Sequence, residues 1–399
     1  MTTQAIQSPP DLGATAPWPF FADDEIRAAA KVLQSGKVNY WTGDEGRRFE
    51  DEFAAFTGCG HAIALMNGTV ALELALRVLG VGPGDEVITT PRTFIASASC
   101  AVAVGARPVL ADVDRESGNI TVETIERVLS PRTAAIIAVH LGGWPCDMDP
   151  MVELARHRGL RLIEDCAQAH GATYKGRPVG ALGDVAAFSF CQDKIMTTAG
   201  EGGMLTVDST EMYETAWAYK DHGKSYDAVY RRQHGPGFRW LHESWGSNWR
   251  LTEVQAAIGR IQLRKLEDWV NVRRRHAGVL NDVLADLDAV RVTIPPPEIG
   301  HAYYKFYFFV RPDRLHTDWS RDRIVAEVNA AGVPCFSGSC SEIYLEKAFP
   351  ELWRPSERLA NARELGETSV MCLVHPNLTD QQMEITALKL REVVQIASR

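Results

Sequence analysis

Residues 160–208, LRLIEDCAQAHGATYKGRPVGALGDVAAFSFCQDKIMTTAGEGGMLTVD, decide the fold. The apolar runs LRLIED, DVAAFSF and GGMLTVD are too short for helices and are bounded by Gly, Asp and polar residues, so each reads as a strand. Asp165 closes the first run and Lys194 stands just past the second, which puts two reactive side chains at strand ends.

The pattern continues upstream. AIALM, EVITT, RPVLADV and TAAIIAV read as further strands, and helical spacing separates them at Thr69–Leu79 and Asp149–Arg158. Two helices, about Asp23–Leu33 and Gly46–Phe56, precede them. Short apolar strands alternating with helices predict an α/β fold whose central sheet is mostly parallel and covered on both faces. After Val207 a polar, aromatic, Gly-rich stretch runs to Arg250, and a helix with a strong apolar stripe begins at TEVQAAIG. Beyond Pro295-Pro296-Pro297 come a strand, YYKFYFFV, and helices near Arg321–Ala331 and Asp380–Ile396. The expected division is a lead over 1–20, a large domain over 21–260 and a smaller C-terminal α+β domain over 261–399.

With 399 residues, 45% hydrophobic and 23% charged, the chain can bury one large core or two smaller ones. A net charge of −9 with dispersed cations argues against nucleic acid and against an anionic membrane as partners. The start MTTQAIQSPPDLGATAPWPF has no signal-peptide pattern, and no apolar run approaches the ~20 residues of a membrane span, so a cytoplasmic protein is expected. Eight scattered cysteines without a C-x-x-C pair suggest reduced, mostly buried thiols. The eleven histidines contain no i, i+4 pair and no H-E-x-x-H, so no metal is expected. The run Arg273-Arg274-Arg275 reads as a solvated helix face.

In open α/β sheets ligands sit beyond the carboxyl ends of the strands. Four such ends carry candidates. After AIALM, Asn67-Gly68-Thr69 feeds a helix whose first N–H groups suit a phosphate; Thr69 as a plain N-cap is the competing reading. Asp165, with Gln168 and His170 close behind, could pair with a protonated ring nitrogen, as a pyridoxal ring requires, or simply cap a following helix. Lys194, ahead of the Gly-rich turn TTAGEGG, could reach inward as a nucleophile, although most lysines are solvated. Phe94, after EVITTPRT, could stack on a planar cofactor or belong to the core.

Taken in order, N-G-T, T-F, E-D-x-A-Q-A-H-G, S-F-x-x-x-K, G-E-G-G and G-x-N-x-R-x-T-E-x-Q-A-A resemble the DegT/DnrJ/EryC1/StrS family of sugar aminotransferases, which have the fold-type-I pyridoxal-phosphate (PLP) transferase architecture. The likeness runs over about residues 20–290 and more weakly through VHPNLT at 374–379. By resemblance, Lys194 would hold PLP as a Schiff base and carry protons, and Asp165 would keep the pyridine nitrogen protonated. Gln168 would lie against the phenolic oxygen, Phe94 would stack on the ring, and Gly68, Thr69 and Ser189 would hold the phosphate. Asn248 would reach the phosphate of a neighbouring subunit, which implies a homodimer with shared active sites. The implied reaction is ping-pong, from an amino acid, usually glutamate, to a keto sugar carried on a nucleotide. Cys191 and Gln192 depart from the family's usual residues before the lysine, and Tyr303, Tyr304 and Lys305 fall where the family varies with its acceptor.

Other readings remain at this point. A keto-cyclitol aminotransferase shares the motifs. A deoxysugar dehydratase typically has histidine where this chain has Lys194, and a non-catalytic regulator would be marked by loss of Lys194 or Asp165. A nicotinamide oxidoreductase would need G-x-G-x-x-G after the first strand, where N-G-T stands instead.

Overall fold

The computed structural model describes residues 17–399; most of the expected lead lies outside the described residues. Seven strands form the main sheet in the spatial order His61–Leu65, Gly203–Val207, Val185–Ser189, Arg161–Asp165, Thr133–Val139, Glu86–Thr89, Arg107–Leu110. Pairings among the last five are parallel, whereas Gly203–Val207 runs antiparallel to both its neighbours. The predicted α/β class with a mostly parallel sheet is therefore correct, with one reversed strand.

Alternation along the strands builds two cores. Ile63, Leu65, Val87, Ile137, Ile163 and Leu205 point to one face and pack with Leu72 and Leu76 of helix Gly68–Val78, Cys100 of Ala96–Ala103 and Trp217 of Thr210–Lys220. Ala62, Ala64, Ala186, Phe188 and Met204 point to the other face, against Phe49 and Phe53 of helix Glu45–Thr57 and Ala256 and Leu263 of helix Glu253–Leu284. Burial on both faces is why these strands read as near-continuous apolar runs.

Helix Glu253–Leu284 opens with the capping box that T-E-V-Q encodes: Gln255 N–H donates to Thr252 Oγ1, and Thr252 N–H donates to Gln255 Oε1. It runs without a break across residue 260. Its first half lies in the core just described, and Ala277, Leu280 and Leu284 join a separate cluster around a second, antiparallel sheet. That sheet has the order Val290–Val292, Phe306–Val310, Ser369–Cys372, Cys335–Phe336. Helix Asp380–Ala397 covers it with Met383, Leu390 and Val394.

One local boundary differs from the sequence reading. The expected strand YYKFYFFV begins only at Phe306, because Tyr303 has φ +47°, a left-handed turn that ends extended backbone. The polar stretch after Val207 forms helices Thr210–Lys220 and Tyr226–Tyr230.

Candidate active site

Asp165 ends its strand at the carboxyl edge of the sheet and is buried. Its Oδ2 accepts from Ser97 Oγ at 2.7 Å and its Oδ1 from Ala167 N–H at 3.1 Å. Turns rather than a helix follow it, so the capping alternative does not apply. Burial pushes its carboxyl pKa above the usual range, against the pull of the Ser97 and Ala167 hydrogen bonds and the Lys194 charge. A carboxylate so placed lacks a cationic partner at bonding distance among the described residues.

Lys194 follows the strand Val185–Ser189 through a turn closed by its own N–H on Cys191 O. Its Nζ lies 3.6 Å from Asp193 Oδ1 and 5.1 Å from the Tyr304 ring centroid, and its side chain is only 16% exposed. Tyr304 Oη donates to the other Asp193 oxygen. Burial opposes ionisation of Asp193, yet Lys194, the Tyr304 hydroxyl and Lys305 together hold its pKa below the ordinary value. The side chain of Trp18, from the described end of the lead, donates to Lys194 O at 2.8 Å and braces the turn.

Gly68 opens helix Gly68–Val78. The cap is Asn67, whose Oδ1 accepts from Val70 N–H at 3.0 Å; the alternative reading of Thr69 as the cap is thus wrong, and Thr69 stands exposed in the first turn. A Cβ on Gly68 would sit 2.6 Å from Ser189 Cβ, so only glycine lets this helix start abut the Ser189 strand end. Gly203 of G-E-G-G is required for the same junction: a Cβ there would meet Asn67 O at 2.3 Å. Gly68 therefore abuts Ser189, and the first N–H groups of this helix with the Thr69 and Ser189 hydroxyls are the candidates for holding a phosphate.

Gln168 is buried, and its Oε1 accepts from Gly142 N–H at 2.8 Å. Phe94 is 69% exposed, which removes the core reading for it. Asn248 is exposed as well; it lies in the irregular stretch that also presents Phe238, Trp240 and Trp245 to solvent.

Sequence reasoning did not single out Ser97, Trp18 or the pair His140–Glu164 as parts of this site. His140 Nδ1 accepts from Cys146 N–H, leaving Nε2–H to donate to Glu164 Oε2 at 3.0 Å. Glu164 also accepts from the N–H groups of Gly180, Leu182 and Gly183. Although His140, Glu164 and Cys166 cluster closely enough for a metal, both imidazole nitrogens are already engaged. Arg273 corrects a second expectation. It is buried rather than solvated, while Arg274 is half-buried and only Arg275 is exposed.

These residues fit pyridoxal phosphate: a buried carboxylate short of a cation, a lysine within electrostatic reach of it from the neighbouring strand end, a glycine-opened helix start against Ser189 that suits a phosphate, and an exposed aromatic ring after a further strand of the same sheet. The model of the DegT/DnrJ/EryC1/StrS aminotransferase family matches residues 20–391. A GDP-perosamine synthase of Caulobacter vibrioides is 40% identical over 77% of this chain and 82% of its own. A 3-amino-5-hydroxybenzoate synthase of Amycolatopsis mediterranei is 38% identical over 89% of each chain. The crystal structure of an aminotransferase from Psychrobacter cryohalolentis, 54% identical, covers 95% of this chain and 98% of its own with a TM-score of 0.94. Solved chains of this fold include PLP and pyridoxamine-phosphate forms at 25% and 26% identity. The chain belongs to the DegT/DnrJ/EryC1/StrS aminotransferase family and is a PLP-dependent aminotransferase.

Proposed function

We propose that the enzyme moves an amino group from an amino acid, glutamate in the first instance, to the keto group of a nucleotide-linked sugar. The observation that carries this reading is the buried Asp165 carboxyl, fixed by Ser97 and the Ala167 N–H, without a cationic partner in bonding contact, and within electrostatic reach of Lys194. PLP, when bound, supplies an electron sink for the charge left after a substrate C–H proton is removed. Asp165 would hold the proton on the ring nitrogen, with Ser97 and the Ala167 N–H fixing its two oxygens. Lys194 would hold the cofactor covalently and, once released, carry the proton between the substrate carbon and the cofactor, while Asp193 and Tyr304 hold the turn that carries it. Gln168 would face the phenolic oxygen, Phe94 the ring, and Gly68, Thr69 and Ser189 the phosphate.

A nucleotide-linked acceptor is favoured by the relative named as a GDP-perosamine synthase. A second reading, transamination of a carbocyclic ketone, is favoured by the relative named as a hydroxybenzoate synthase. We also propose a homodimer whose sites are completed by the partner's Asn248, since the chain exposes Phe238, Trp240 and Trp245 beside its own Asn248. Residues 21–260 and 261–399 are proposed as its two domains, joined through helix Glu253–Leu284. A cytoplasmic setting is supported by eight unpaired cysteines; among the described residues no helix is long and apolar enough to cross a membrane.

The test is visible absorbance of the PLP-loaded protein before and after glutamate, followed by an acceptor screen with nucleotide-linked keto sugars and keto-cyclitols. Bleaching by glutamate with recovery on a keto sugar is expected. A band that no amino donor changes would refute transamination, and recovery on the cyclitol alone would favour the second reading.

A further inference from the structure

Lys194 is not the only cation at Tyr304. Lys305 Nζ lies 4.8 Å from the same ring centroid that Lys194 Nζ approaches at 5.1 Å. Arg273 Nη1 donates to Tyr304 O at 3.0 Å, and its guanidinium lies 5.0 Å from the Trp18 ring centroid. Three cations thus surround one tyrosine, and the carboxylate bonded to that tyrosine is Asp193, which lies closest to Lys194. Among the described residues no carboxylate stands within ion-pairing distance of Lys305 or Arg273. Arg273 is 1% exposed, and its Nε and Nη2 have no hydrogen-bond partner there. Burial, with Arg273 and Lys194 adding to it and Asp193 opposing, brings the Lys305 ammonium down to about 8. Unmatched buried charge of one sign is costly, and a folded protein retains it where a ligand of the opposite sign completes the set.

We propose that Lys305, backed by Arg273, is an oxyanion subsite beside Lys194 that takes a carboxylate or phosphate group of a substrate. Lys305 is the contacting group, since it remains partly exposed, whereas Arg273 is sealed under Trp18 and Tyr304 and acts through its charge and its hold on the 303–304 backbone. The inference rests on Lys194 being the reactive lysine. It adds the substrate's anionic group as what the neighbouring cations are for. The subsite's two possible occupants, the donor's carboxylate and the acceptor's diphosphate, share oxyanion chemistry and separate by experiment.

The experiment compares wild type, Lys305→Met and Lys305→Arg, all PLP-loaded, by calorimetric titration with succinate and with pyrophosphate, neither of which can be transaminated. Lys305→Met keeps the stem and removes the charge, and it should weaken one of the two anions by roughly tenfold or more, as loss of a charge-assisted hydrogen bond does, with Lys305→Arg retaining most of the affinity. Loss confined to succinate assigns the subsite to the amino donor, and loss confined to pyrophosphate assigns it to the acceptor. Unchanged binding of both anions in Lys305→Met, or no binding of either by wild type, overturns the subsite. Borohydride fixation of PLP on the same proteins separates the two claims: fixation at Lys194 with unchanged anion binding removes the subsite alone, and fixation elsewhere removes the reading beneath it.

Discussion

Replacing Asp165 by Asn should divide the protein's behaviour according to whether cofactor is present. Without cofactor, the Asp165 carboxyl is buried, with one hydroxyl and one backbone N–H as donors and no cation in bonding contact. Its pKa is raised in the folded chain, so above the ordinary carboxyl value ionisation is penalised by burial in the folded state relative to the unfolded one. The penalty is present above the folded pKa and fades as pH falls below the ordinary carboxyl value. Asp165→Asn keeps the shape and removes that charge, so the cofactor-free variant should melt above cofactor-free wild type at pH 7, with the gap closing near pH 4. With PLP bound the order should invert, because the carboxylate then gains a cationic partner. A hydrogen bond to a charged group contributes about 1.5–3 kcal/mol, which corresponds to a loss of roughly ten- to 150-fold in kcat for the variant, and more if the ring nitrogen loses its proton outright. Differential scanning fluorimetry with and without PLP, and steady-state turnover, read both effects. A variant that melts below wild type without cofactor and turns over within twofold of it would refute the reasoning.

Three further outcomes are expected. Gly68→Ala should raise the Kd for PLP about tenfold or more in a fluorescence titration, because the new methyl would fall 2.6 Å from Ser189 Cβ and part the helix start from Ser189; unchanged affinity would place the phosphate elsewhere. Glu164→Gln should cost about 1.5–3 kcal/mol, as loss of hydrogen bonds to a buried charged group does. The Glu164 pKa is lowered despite its burial, by His140 and the backbone donors, so its stabilisation is present above the unfolded carboxyl pKa and is lost as pH falls through the folded one. The acid limb of the stability profile should accordingly flatten in the variant, and an identical limb would argue that Glu164 is protonated already. If sites are shared, co-expressed Lys194→Ala and Asn248→Ala chains should recover about one quarter of wild-type turnover, from the one intact site in each mixed dimer. A mixture no more active than its two parents would leave Asn248 out of the site.

The strand ends were legible because each motif is local. Asp165 and Gln168 stand three residues apart on one turn, and N-G-T carries its own helix start, so the sequence alone places them together. Long-range partners were not. Ser97 meets Asp165 across 68 positions, and Trp18 meets Lys194 across 176, contacts that no periodicity encodes. Arg273 is an intermediate case. The stripe Leu266, Val270, Ala277, Leu280, Leu284 repeats every three or four residues, and Arg273 falls on it, so helical register outweighs the basic composition of 273–275. Tyr304 shows the opposite limit: its neighbours read as a strand, and the left-handed turn at Tyr303 that aims Tyr304 at Asp193 is a tertiary feature.

The central claim is that Lys194 holds the cofactor, and peptide mapping by mass spectrometry after borohydride reduction of the PLP-loaded enzyme tests it most directly. The account predicts the reduced adduct on Lys194 in wild type and no adduct in Lys194→Ala. An adduct on Lys305 or any other lysine of wild type would contradict it.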